Sequence, residues 1–139
     1  MVTKKLYIYP SFLMFISLLI TINACHQSDA NYTSLEDYPI YSGTDLGLKY
    51  SPESSTFKIW SPAAEAVKLR LYKNGIGGNP ILEKNLTRSK KGTWSITISQ
   101  DLKGQFYTFQ ILQNDEWLNE VPDPYVKATG INGHRGMVI

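Results

Sequence analysis

One cysteine and two histidines among 139 residues leave little for redox or metal chemistry. A disulfide framework needs paired cysteines, and a zinc site needs several clustered Cys, His or carboxylate ligands. Cys25 stands alone, and His26 and His134 are far apart in sequence. No metal or other cofactor is therefore expected. A basic surplus is missing as well. Of the 14 lysines and arginines, Lys4 and Lys5 fall within the first 24 residues, which leaves 12 against 12 acidic residues. Phosphate backbones are held by clustered Lys and Arg, so nucleic acid is not an expected partner. The run "RSKKG" at 88–92 reads as a solvated turn before a strand.

Catalytic constellations are also lacking. The bend at Gly75, Gly77 and Gly78 is not followed by Lys-Ser/Thr, so it is a turn and not a phosphate loop. Asp115, Glu116, Glu120 and Asp123 crowd one stretch. Two such carboxylates could in principle form a glycosidase pair, but on a hairpin they are expected to be solvated. His134 sits in a glycine-rich turn. No catalytic residue is assigned.

The N-terminus has a different pattern. "MVTKKLYIYPSFLMFISLLITINAC" places two lysines before an apolar stretch from Phe12 to Thr21, then Ile22-Asn23-Ala24-Cys25. That is the layout of a secretory signal. The ending resembles a bacterial lipobox, in which the cysteine is acylated and becomes the mature N-terminus. Several buried acyl chains together give stable membrane attachment. The alternative, an uncleaved membrane helix over Leu6 to Ala24, is interrupted by Pro10 and thinned by Ser11, Ser17, Thr21 and Asn23. Residues 1–24 are therefore expected to be a lipoprotein signal peptide, Cys25 the lipidation site, and 25–40 a polar tether. His26 rather than Asp after the cysteine points to the outer membrane, with the protein on its periplasmic or outward side.

From Tyr41 onward, strand signals recur between turn residues. "STFKIWS" alternates Phe57 and Ile59 inward with Thr56, Lys58 and Trp60 outward. "AVKLRLY" puts Val67, Leu69 and Leu71 on one face. "GTWSITIS" aligns Trp94, Ile96 and Ile98, which makes Trp94 a core residue. "GQFYTFQILQ" groups Tyr107, Phe109 and Ile111, with Phe106 opposite, and "EWLNEV" and "GMVI" complete the set. Strict alternation means each strand has one wet face, so the sheets are antiparallel. About seven such strands predict an all-β, immunoglobulin-like antiparallel sandwich over 41–139, with a small barrel as the other option.

"YSGTDLG", "FKIWSPAAEAVKLRLY", "GTW", "GQFYTF" and "DPYVKATGINGHRGMVI", in that order, resemble the N-terminal region of type I pullulanases of glycoside hydrolase family 13. The resemblance runs from Tyr41 to the last residue and implies a carbohydrate-binding-module-48 sandwich. It implies that the nucleophilic Asp and acid/base Glu belong to a downstream barrel, so the chain alone is not expected to be an enzyme. "GMVI" is then expected to be a strand leading into that barrel, and the chain a fragment. A stand-alone surface lipoprotein that binds α-glucans (starch or glycogen) is the alternative.

Glycogen-binding relatives use a loop Trp, a strand Lys, a hairpin Trp and a late Asn. By that resemblance Trp117 takes the hairpin position and Asn132 the late one. Thr108 replaces the Lys, and "KNGIGGNP" carries no Trp. Glucan binding is accordingly expected to be weak or absent. Trp60, Asp123 and Tyr125 are the residues expected to face a neighbouring domain.

Overall fold

The computed structural model describes Tyr32 and residues 34–139. The expected signal peptide, Cys25 and half of the expected tether (25–31 and 33) lie outside the described residues. Nine strands follow: β1 (Gly47–Tyr50), β2 (Ser55–Trp60), β3 (Ala66–Tyr72), β4 (Leu82–Asn85), β5 (Thr87–Arg88), β6 (Thr93–Ile98), β7 (Phe106–Gln113), β8 (Glu116–Trp117) and β9 (Gly136–Met137). One sheet runs β1-β2-β6-β5. The other runs β4-β3-β7-β8, with β9 also on β7. Every named pair is antiparallel. The immunoglobulin-like sandwich read from the sequence is therefore the observed fold. The strand count exceeds seven because β5, β8 and β9 are two-residue pieces.

The alternation places the core as expected. Phe57, Ile59 and Trp94 from the first sheet meet Val67, Leu69, Leu71, Tyr107 and Phe109 from the second. Burying each such side chain contributes about 1.5–3 kcal/mol. The Phe57 and Tyr107 rings cross edge-to-face between the sheets at 4.9 Å. Trp94 is buried, and its indole N–H donates to the Ser61 carbonyl at 2.9 Å. Leu102, from the connection between β6 and β7, is fully buried in the same core.

The free edge of β7 is covered in three steps. β8 pairs with Leu112 and Gln113, Val121 bridges Phe109, and β9 pairs with Phe106 and Tyr107. "EWLNEV" is thus a two-residue strand plus one bridge, and "GMVI" does return to a sheet edge. Covering this edge removes a row of unpaired backbone groups that would invite association.

Candidate functional site

Cross-strand partners share a face of the sheet. On the outer face of the second sheet, Lys68 therefore stands between Asn85 and Gln110, and Arg70 between Glu83 and Thr108. Leu112 stands opposite Trp117. Trp117 follows a two-residue hairpin whose Asn114 and Asp115 both have positive φ, 54° and 59°. That is the type I′ geometry matching strand twist. The Glu65 carboxylate holds the turn, accepting from the Asn114 N–H at 2.6 Å. The Lys68 ammonium lies 4.4 Å from the centre of the Trp117 ring and 3.5 Å from Glu83. Trp117 remains 37% exposed.

Most other charged groups on this face satisfy one another. The Arg70 guanidinium donates to Glu83 and Glu120, and the hydroxyls of Tyr72 and Thr108 donate to Glu120. Burial works to raise the Glu120 carboxyl, but the hydrogen bonds from Thr108 and Tyr72 and the charge of Arg70 outweigh it. The group is held below the ordinary glutamate value. Tyr72, outward by alternation, is nevertheless buried, because Arg135 stacks 3.4 Å over its ring. Arg135 also donates to the carbonyls of Asn74 and Gly77, which ties down the 73–80 bend.

Two corrections to the sequence reading follow. Glu120 and Asp123 are not solvated carboxylates, whereas Asp115 and Glu116 are exposed. Asp123 is 2% exposed and accepts from the Tyr107 hydroxyl and the Tyr125 N–H, both at 2.8 Å. Its carboxylate is therefore committed within the sandwich and is not free to face another domain. Burial first, and the adjacent Asp123 carboxylate second, push the Tyr107 phenol far above the ordinary tyrosine value.

Trp117 and Asn132 are not brought together. Trp117 is beside Leu112, whereas Asn132 lies in the 131–133 turn just before β9, which pairs with Phe106 and Tyr107. Six residues of strand separate those ends, about 20 Å. The structure instead adds Lys68, which the sequence reading missed. Thr108 leaves the expected cation position empty and gives its hydroxyl to Glu120. Lys68 reaches Trp117 from β3, with β7 between their strands. Only the register of three strands could have revealed it. A partly exposed indole beside an ammonium and the Gln110 amide can hold a neutral ring with hydroxyls around its rim.

Trp60 and Tyr125 occupy a different part of the surface, in a cleft of about 330 Å³ shared with Tyr38, Pro39, Tyr41 and Leu46. The indole N–H of Trp60 donates to the carbonyls of Pro39 at 3.2 Å and Lys91 at 3.0 Å, and Tyr38 meets its ring edge-on at 6.1 Å. Tyr125 is placed by Asp123 and by Gly47, where a Cβ would lie 2.7 Å from the Tyr125 Cβ.

Comparison with known proteins places this geometry. The carbohydrate-binding module 48 family (isoamylase N-terminal domain) matches residues 45–126. Pullulanase from Bacillus subtilis is 35% identical over 107 residues, which cover 77% of this chain and 14% of that protein. Pullulanase from Paenibacillus barengoltzii, solved with maltohexaose and α-cyclodextrin, aligns with a TM-score of 0.71 at 36% identity, over 75% of this chain and 16% of that one. Pullulanase from an Anoxybacillus species, solved with maltotetraose, gives 0.68 at 36% identity, over 78% and 16%. This chain thus spans about a seventh of the length of the relatives it matches. With its two-sheet sandwich matched across most of the described residues, the chain belongs to the carbohydrate-binding module 48 family.

Proposed function

We propose that the chain is the non-catalytic N-terminal module of a pullulanase-like α-1,6-glucan hydrolase, and that its Trp117 face supplements substrate contact there. The observation that carries this reading is the exposed Trp117 ring beneath the Lys68 ammonium, on a sheet whose remaining ion pairs close on themselves. A neutral sugar meets no unpaired carboxylate of Glu83 or Glu120 on that face. One aromatic platform contributes on the order of 1–2 kcal/mol, so affinity is weak, and losing the ring costs about tenfold.

Affinity electrophoresis in gels containing amylopectin tests the reading. The wild-type chain is retarded, and Trp117→Ala migrates as it does without polysaccharide. Equal migration of both in the presence and absence of amylopectin sinks it. The purified chain releases no reducing sugar from pullulan, and genuine turnover would contradict the non-catalytic assignment. The reading includes export and lipid attachment at Cys25, supported by the lipobox-like sequence. Radiolabelled palmitate should enter the wild type and not Cys25→Ser; equal labelling removes that part alone.

A further inference from the structure

We propose that Glu65 is the positioning residue of the Trp117 platform: its carboxylate grips the β7–β8 turn from outside the hairpin and so sets the indole against Lys68 before any sugar arrives. This deepens the α-glucan reading above, and only the binding arm of its test rests on that reading. The need for a grip follows from the hairpin itself. β8 has two residues, and its ladder with β7 ends at Gln113 and Glu116. The N–H groups of Asn114 and Asp115 therefore have no place in that ladder. Both residues sit at positive φ, and Asp115 stands where such a turn prefers glycine. Beyond Trp117 the chain is tied back by the Leu118 N–H, which donates to the Ile111 carbonyl at 2.9 Å. The turn is the end left to secure, and a hairpin this short is marginal on strand pairing alone.

Glu65 supplies the missing hold. Its carboxylate accepts from the Asn114 N–H at 2.6 Å and from the Asp115 N–H at 3.3 Å. Hydrogen bonds to a carboxylate are stronger than those between neutral groups. The backbone N–H of Glu65 donates at 2.9 Å to the carbonyl of Leu112, the cross-strand partner of Trp117. One residue thus fixes both the tip of the hairpin and the strand beside the ring. Glu65 immediately precedes β3, and Lys68 of that strand places its ammonium 4.4 Å from the centre of the indole. Segment 65–68 therefore sets the turn and the cation together. A ring already in place loses less freedom on binding. Where only a fraction of molecules hold it in place, apparent affinity falls by that fraction.

The test reads the Lys68 side chain first. Its ε-methylene, one bond from the ammonium, lies in the shielding zone of the Trp117 ring, so its proton resonances are displaced upfield in the wild type. Trp117→Ala sets the undisplaced position. In Glu65→Ala the displacement should be largely lost and the Asn114 and Asp115 amides should exchange faster, while the buried Trp94 indole resonance stays in place. Glu65→Gln, which keeps an acceptor oxygen at the same reach, should retain most of the displacement. Tyr107→Phe, altered near the other end of β7, should keep it whole, which separates positioning from a general loss of stability. Calorimetric affinity for maltohexaose should fall about threefold to tenfold in Glu65→Ala. An undiminished displacement in Glu65→Ala overturns the proposal. So does its loss in Glu65→Gln or Tyr107→Phe, or an unchanged affinity once it is lost. If Glu65→Ala does not fold, Glu65→Asp, with the carboxylate withdrawn by one methylene, is read by the same outcomes. A wild type that shows the Lys68 displacement but binds no maltohexaose removes the glucan reading and leaves the placement of the ring to be decided by Lys68 alone.

Discussion

Replacing Tyr107 with Phe removes one hydroxyl from the interior and leaves the Asp123 carboxylate with the Tyr125 N–H as its remaining described donor. Tyr107 is fully buried and Asp123 nearly so, which prevents water from substituting without rearrangement. A hydrogen bond to a buried charged group contributes about 1.5–3 kcal/mol. Phe fills almost the same volume, so no cavity term adds to this. Urea unfolding should show a loss in that range, with an unchanged slope, and for a domain of this size the melting temperature should fall by roughly 6–24 °C. A double-mutant cycle with Asp123→Ala should return most of the loss as coupling between the two residues. The bond has a second signature at alkaline pH. Tyr107 in the fold titrates well above its ordinary value of 10.0. Its contribution is therefore complete below about pH 10 and is lost as pH rises beyond that, because the unfolded chain releases the proton first. Tyr107→Phe should flatten that alkaline decline. A loss under about 0.5 kcal/mol, or an alkaline limb unchanged in the variant, would refute the reasoning.

At the acid end the sign reverses. Glu120 is held below its ordinary 4.5, so its contribution is present above that value and is lost as pH falls through the lower folded value. Glu120→Gln should flatten stability curves below about pH 4.5 while costing about 1–3 kcal/mol at neutral pH, as followed by circular dichroism. Gly47→Ala places a side chain at φ +91° with its Cβ 2.7 Å from Tyr125. It should cost at least about 2 kcal/mol and alter tyrosine near-ultraviolet dichroism; a neutral result would contradict the placement of Tyr125.

Strand faces were legible because period-two alternation depends on local sequence alone. Phe57 and Ile59, then Val67, Leu69 and Leu71, and Tyr107 and Phe109 all lie inward as their spacing requires, and Trp94 is core. Parity fails where a distant residue covers an outward one. Tyr72 is buried under Arg135, 63 positions later in the chain, and no local pattern signals that contact. The carboxylates of "NEVPDPY" read as solvated because their donors, Tyr72, Thr108 and Tyr107, come from other strands. Leu102 lies in a connection without periodicity, so its burial had no local signature. Of the candidate contact residues, Trp117 was visible as an aromatic beside a turn. Lys68 was not, since its proximity depends on strand order β3-β7-β8.

The central claim is that this sandwich contacts α-glucan through Trp117. The most direct measurement is calorimetric titration of maltohexaose into the wild-type chain and into Trp117→Ala. Saturable heat in the first and a loss of about tenfold or more in the second is the predicted result. Absence of saturable heat in the first, or equal affinity in both, would contradict it.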